Sequence, residues 1–196
     1  MSDIIPDDKA TRDTIAQIAS HYEAIIRLIG EDPSREGLVK TPMRAAKALY
    51  YATKGYRTDL DEIVNGAMFT HTAGGLIVVR DIEFYSFCEH HILPFFGTVS
   101  IGYLPNGRII GRSKMARIVD MFARRLQVQE RLTDELCREI TKLLDAHGVI
   151  VHCRAQHLCM KMRGVEKQNS ATVTIEASGL LLSDHSRRAE FFEAIR

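Results

Sequence analysis

Apolar residues recur at three- and four-residue steps near the start of the chain, at Ile15, Ile18, Tyr22, Ile25 and Ile29, and the run stops at Gly30. That spacing predicts an amphipathic helix with a glycine cap, because residues three and four apart share one helical face. Thr41-Pro42 offers an N-cap and a first-turn proline for a second helix ending near Gly55, with Ala45, Ala46, Leu49 and Tyr50 on its apolar face. Between Gly75 and Tyr103 the pattern turns β-rich: Leu76 to Val79, Ile82 to Phe87 and Gly97 to Tyr103 read as strands, and Pro105-Asn106-Gly107 as a turn. Ser113 can cap a third helix through about Arg125, and Leu132, Leu136, Ile140, Leu143 and Leu144 stripe a fourth that ends before Gly148. Val149 to Met160 and Thr172 to Ile175 read as strands, and Phe191, Phe192 and Ile195 as a short closing helix. Helices, strands, two helices and strands in that order predict an α+β domain with an antiparallel sheet.

Composition narrows the picture. The chain has 196 residues, 45% hydrophobic, which suffices for one substantial core and is short for two, so a single domain with a helical extension is expected. A net charge of +1 argues against coating nucleic acid through bulk electrostatics, so any basic site must be local. A basic start followed by an apolar run is missing, as is any stretch of about 18 apolar residues, and a cytoplasmic protein without membrane contact is expected. In that compartment the four cysteines, Cys88, Cys137, Cys153 and Cys159, read as thiols or metal ligands rather than as a disulfide framework.

Candidate chemistry is densest at Cys88-Glu89-His90-His91, where a thiolate and an imidazole three positions apart on a turn can face one tetrahedral zinc. More ligands are available at Gln156-His157-Leu158-Cys159: on an extended strand, alternation puts Val149, Val151, Cys153, Ala155, His157 and Cys159 on one face. Cys153 lies about 20 Å along such a strand from Cys159, too far to join the same metal, and reads as core. Cys137 sits beside an apolar stripe and reads as a small hydrophobe. His21, His71, His147, His152 and His185 read as ordinary core or surface residues. Three possibilities stay open on spacing alone: Cys88 and His91 as ordinary buried residues without a metal, a structural zinc closed by Cys88, His91, His157 and Cys159, or a site with fewer protein ligands and an open position.

A second cluster is basic. Lys114 and Arg117 share a face near the positive end of the predicted third helix, a favourable place for phosphate, and Arg163 can add a bidentate grip. Taken alone, such a pair is more often a solvated charged face. Third, the carboxylate of Glu130, in Gln127-Val128-Gln129-Glu130 between the two helices, could accept two adjacent donors of a guanine.

These segments together resemble the GTP cyclohydrolase I family. The matching blocks are Lys40-Thr41-Pro42-Met43-Arg44, Phe84-Tyr85-Ser86-Phe87-Cys88-Glu89-His90-His91, Gly111-Arg112-Ser113-Lys114, Arg117-Ile118-Val119, Gln127-Val128-Gln129-Glu130-Arg131-Leu132 and His157-Leu158-Cys159-Met160-Lys161-Met162-Arg163-Gly164, within roughly Glu31 to Arg196. The resemblance implies that Cys88, His91 and Cys159 hold zinc with water in the fourth position, and that His90 and His157 are the catalytic histidines. It implies triphosphate contacts at Lys114, Arg117, Arg163 and Arg44, guanine contacts at Gln129 and Glu130, and a place near the ribose for Ser113. Arg112 stands where the family usually has an apolar residue, and Gly179-Leu180-Leu181-Leu182 lacks its usual phenylalanine. The implied fold is the tunnelling fold, an antiparallel sheet backed by two helices. It would comprise an N-terminal helical region over 1–60 and one catalytic unit over 61–196, assembled into a toroidal homodecamer. The implied reaction opens the guanine ring of GTP, releases formate and closes 7,8-dihydroneopterin triphosphate, the first step of tetrahydrofolate and pterin biosynthesis.

Overall fold

Asp8 begins the first helix, α1 (Lys9–Leu28): its carboxylate accepts the backbone N–H of Thr11 at 2.8 Å and the Thr11 hydroxyl at 2.9 Å. The computed structural model describes residues 5–196, in two compact units, one ending at Lys54 and the other Gly55–Arg196. In the first unit, Ile15 and Ala19 of α1 pack with Ala46 and Tyr50 of α2 (Thr41–Ala52) into a small core. The predicted stripe is half right. Its first turns are buried, but Ile25 and Ile29 are exposed; the expected glycine cap is present, since the helix ends at Leu28 and Gly30 follows the C-cap Ile29 at φ +91°, with Glu31 N–H donating to the Ile26 carbonyl at 3.1 Å. Thr41 is the first helical residue and not the cap; Lys40 holds that position without a side-chain bond, and Pro42 occupies the first turn as expected.

The second unit is built on a five-stranded sheet. Its strands are β2 (Ile77–Cys88), β3 (Leu93–Leu104), β5 (Leu126–Gln127), β6 (Gly148–His157) and β7 (Thr172–Ser178), in the order β5-β2-β3-β6-β7. Every pairing is antiparallel except the two-residue parallel contact of β5 with β2. A separate ribbon pairs β1 (Met68–Thr70) with β4 (Arg108–Ile110), and between β3 and β4 the predicted turn at Pro105-Asn106-Gly107 is present, with Gly107 at φ +75°. A short helix, α3 (Leu60–Val64), precedes the ribbon.

Two helices back the sheet, as the tunnelling-fold expectation requires. These are α4 (Arg112–Ala123) and α5 (Gln129–Leu144). Met115, Ile118 and Val119 of α4 and Leu132, Leu136, Ile140 and Leu144 of α5 form one core with Phe84, Phe95, Val99, Ile101, Val151 and Cys153 of the strands. Alternation along β6 sends Ile150 to the opposite face. There it packs with Leu104, Leu181 of α7 (Gly179–Ser183) and Phe191 of α8 (His185–Ala194). Leu181 and Phe191 are both fully buried, so the Leu180–Leu182 segment packs its end of the sheet without the family's phenylalanine.

Three boundaries differ from the sequence reading. The runs Leu76 to Val79 and Ile82 to Phe87 are one strand, because the polar pair Arg80-Asp81 forms a bulge rather than a turn. The register shifts there, Asp81 adopts φ +58°, and its N–H donates to Ser100 Oγ at 3.3 Å. Ser113 does not cap α4, which starts one residue earlier, with Gly111 in the cap position and no side-chain bond. The strand expected to reach Met160 stops at His157 and passes into a helical turn, α6 (Leu158–Lys161). The reason is edge support: β7 first pairs at Thr172 with Ala155, so beyond Ala155 the strand has a partner on one side only.

Gly97 marks the closest approach of two strands near the site. A Cβ there would lie 1.9 Å from the Arg154 carbonyl oxygen and 2.7 Å from the Ala155 Cα, both rigid backbone. Gly97→Ala is therefore expected to destabilise the fold by about 1–3 kcal/mol or more, the scale of overpacking. A denaturation midpoint unchanged from the parent would show that β3 and β6 can separate freely.

Candidate metal centre and active site

The β2–β3 hairpin and the end of β6 meet because β3 lies between them. Cys88 pairs with Leu93 at one edge of β3, and Phe95 pairs with His157 at the other. Between the strands the turn closes on Cys88, whose carbonyl accepts from His91 N–H at 3.3 Å and Ile92 N–H at 2.8 Å. The turn is tight enough to hold Ile92 at φ +52°, an uncommon conformation for a β-branched residue. Cys88 Sγ lies 3.7 Å from His91 Nδ1. The helical turn α6 swings Cys159 to the same place, so that ligand atoms of Cys88, His91 and Cys159 all lie within 4.8 Å of one another. The strand alternation that predicted Cys159 beside His157 was thus the wrong local geometry, although both residues are at this corner.

The donor set fits a metal. Burial, and then the neighbouring Cys88, push the Cys159 thiol up from its ordinary value, so without a cation two adjacent sulfurs disfavour the charged state that ligation needs. A divalent ion reverses that balance, and two sulfurs with one imidazole suit zinc among the common metals. The other cysteines are elsewhere: Cys153 is buried with its thiol pushed up to about 12, and Cys137 is likewise raised by burial. None of the four forms a disulfide.

Two histidines flank the cluster without joining it. His90 is exposed, its Nε2 3.9 Å from Glu89 Oε1. His157 is half-buried, stacked parallel on Phe95 with centroids 4.7 Å apart, and its Nε2 is 2.8 Å from Gln129 Oε1. Burial pulls its pKa below the usual imidazole value and so favours the neutral ring at pH 7, although the Glu130 carboxylate partly offsets this by favouring the charged form.

The remaining predicted residues sit as follows. Gln129 and Glu130 open α5, the first buried and the second exposed. Ser113, Lys114 and Arg117 lie in the first two turns of α4; neither Lys114 nor Arg117 forms an ion pair among the described residues. Arg163 is exposed just beyond α6, close enough to Cys159 to favour its thiolate. Arg44 is exposed on α2 of the first unit. Arg112 is exposed as the first residue of α4.

Sequence reasoning missed what braces the metal turn. Glu89 forms an ion pair with Arg131, its N–H donates to the Gln127 carbonyl at 3.0 Å, and Arg131 Nε donates to Gln127 Oε1 at 2.9 Å. Gln127 in turn donates to Glu135 at 2.9 Å. The available signal was Arg131, part of a matched block yet assigned no role. A polar concavity of about 390 Å³ lined by Tyr56, Glu89, Arg125 and Arg131 adjoins this network. A second, of about 300 Å³ and lined by Glu83, Tyr85, Phe96 and Arg154, contains none of the predicted site residues.

With this geometry in place, residues 18–196 match the profile described as GTP cyclohydrolase I. The chain belongs to the GTP cyclohydrolase I family. GTP cyclohydrolase 1 of Leptospira biflexa serovar Patoc is 56% identical over 174 residues, 89% of this chain and 95% of that protein. GTP cyclohydrolase 1 of Pseudoalteromonas translucida is 52% identical over 180 residues, 92% of this chain and 98% of that protein. Among solved structures, the apo archaeosine synthase QueF-Like overlaps 55% of this chain and 97% of its own, with a TM-score of 0.45 and 17% identity. The sequence assignment to GTP cyclohydrolase I, and to an enzyme, therefore stands. No helix among the described residues is long and apolar enough to cross a membrane.

Proposed function

We propose that this chain hydrolyses the imidazole ring of the guanine in GTP, releases C8 as formate and recloses the ring as 7,8-dihydroneopterin triphosphate, with one net water consumed. The observation that carries the reading is the meeting of Cys88, His91 and Cys159 within 4.8 Å, with His90 and His157 beside them, in a chain of this family. Zinc bound by those three residues would leave one position open, polarise its ligand and lower the pKa of water to about 7.

The protein's own groups supply the rest. His157, neutral with its hydrogen on Nε2 toward Gln129, can take up a proton at Nδ1 as water is consumed. It then returns that proton to the imidazole nitrogen that leaves C8. His90, exposed at the mouth of the hairpin turn, is free to serve the later proton transfers, when the ribose opens and its carbon chain closes onto the released amine. Glu130 accepts from two adjacent guanine N–H donors, and Lys114, Arg117, Arg163 and Arg44 bind the triphosphate, with Ser113 near the ribose. Their binding energy fixes C8 at the metal without making or breaking a bond. A toroidal homodecamer in the cytoplasm, working in pterin and folate synthesis, is the setting that the family resemblance supports.

Glu130→Gln is expected to raise KM for GTP steeply, since an amide offers one acceptor where guanine presents two donors and leaves a polar contact unpaired. Unchanged steady-state constants would remove Glu130 from the pocket. The function itself is tested by incubating the purified, zinc-loaded protein with GTP and measuring formate and the fluorescent oxidised pterin. Neither product would appear if the site served only to hold the fold together.

A further inference from the structure

Gln129, the first residue of α5, is only 1% exposed, and a buried amide needs partners for both of its hydrogens and for its oxygen. Its Nε2 lies 3.1 Å from each of three oxygens: the backbone carbonyls of Cys153 and Thr172, and Thr174 Oγ1. Carbonyl oxygens only accept, so the NH₂ end of the amide must face the strands β6 and β7. The Oε1 end must then face His157 Nε2, at 2.8 Å. An amide oxygen also only accepts, so Nε2 is the nitrogen that carries the hydrogen of the neutral ring. His157 Nδ1 forms no hydrogen bond among the described residues.

Two threonines lock the amide in turn. Thr133 Oγ1 donates to the Gln129 backbone carbonyl at 2.8 Å and lies 2.6 Å from Thr174 Oγ1. Thr174 can therefore accept from Gln129 while donating to Thr133, and the chain of bonds runs in one direction. Phe95 fixes the remaining freedom by stacking on the imidazole with an interplanar angle of 2°.

We propose that Gln129 is a positioning residue that acts through His157: it sets the orientation and tautomer of the imidazole, so that Nδ1 is the nitrogen presented for proton transfer, and it makes no contact with the guanine. The proposal rests on the reading of His157 as catalytic. Both amide hydrogens are committed to protein oxygens, which leaves the side chain without a donor for a purine.

A double-mutant cycle tests it, because a residue that works only through another has nothing left to contribute once that other is gone. Gln129→Met, close in size and without hydrogen-bonding ends, is measured in the parent and in the His157→Ala background for kcat, KM, zinc content and thermal midpoint. In the parent, kcat is expected to fall roughly tenfold to a hundredfold, the usual cost of losing a group that orients a working ligand or catalyst. KM should stay within about twofold, and zinc should be retained. In the His157→Ala background, the further loss of kcat should be under about twofold. A large rise in KM with kcat held would make Gln129 a base contact and overturn the proposal, as would an equal loss of kcat in both backgrounds. A His157→Ala enzyme as active as the parent would instead overturn the catalytic reading of His157 and this proposal with it. If Gln129→Met does not fold, Thr174→Val loosens the amide while nearly filling the same volume. A smaller kcat loss that vanishes in the His157→Ala background supports the proposal, and one that persists there overturns it.

Discussion

Cys159→Ala is expected to lose metal and turnover together, and Cys88→Ala and His91→Ala to behave alike, because in the proposed site each would remove one of three ligands that nothing nearby can replace. The other two cysteines, Cys137 of α5 and Cys153 of β6, are buried in the core between the sheet and its helices. His90 and His157 stand outside the group of mutually close ligand atoms. Two residual donors do not make a zinc site, so elemental analysis should find substoichiometric zinc, and GTP consumption should fall to the level of metal-stripped parent. The same chemistry gives a pH dependence with a definite sign. Ligation requires thiolates, and burial with the Cys88 neighbour holds the Cys159 thiol above its ordinary value, so protons compete with the metal and zinc affinity should weaken as pH falls. A Cys159→Ala protein that kept both a full complement of zinc and its activity would remove the sulfur from the site.

How much of this was legible in the sequence depends on whether the interaction is local. The stripe of α5 could be read because Leu132, Leu136, Ile140 and Leu144 follow the helical period and all four are fully buried. Cys88 and His91 could be paired because three positions on a turn bring them together whatever the rest of the chain does. Arg80 and Asp81 split one strand into two apolar runs in the sequence, and the bulge that joins them is supported by a distant hydroxyl, that of Ser100. Cys159 misled. Alternation describes a strand only while its neighbours continue, and β6 runs out of partners on the β7 side at Ala155. The setting of Gln129 had no local signal at all, because its partners Cys153, Thr172 and Thr174 reach it only through the pairing of β6 with β7.

His157→Ala and His90→Ala are expected to part from the ligand variants by keeping their metal while turnover falls by roughly 10²-fold or more, the contribution of general acid–base help. The two ways of using this cluster divide at His157. In a closed structural site with four protein ligands, His157 would be the fourth, its removal would release zinc as readily as Cys159→Ala does, and no open position would remain. The geometry favours the open alternative: the mutually close ligand atoms belong to Cys88, His91 and Cys159 alone among the described residues, and neither ring nitrogen of His157 joins them. His90, on the exposed side of the turn, is the gentler test, since its loss leaves the core around the site untouched. The most direct measurement is the zinc content per chain of purified, natively folded His157→Ala, read beside its GTP turnover. Zinc equal to the parent with turnover reduced is the predicted result; zinc-free protein with a native fold would show that His157 is a ligand and that the site is closed.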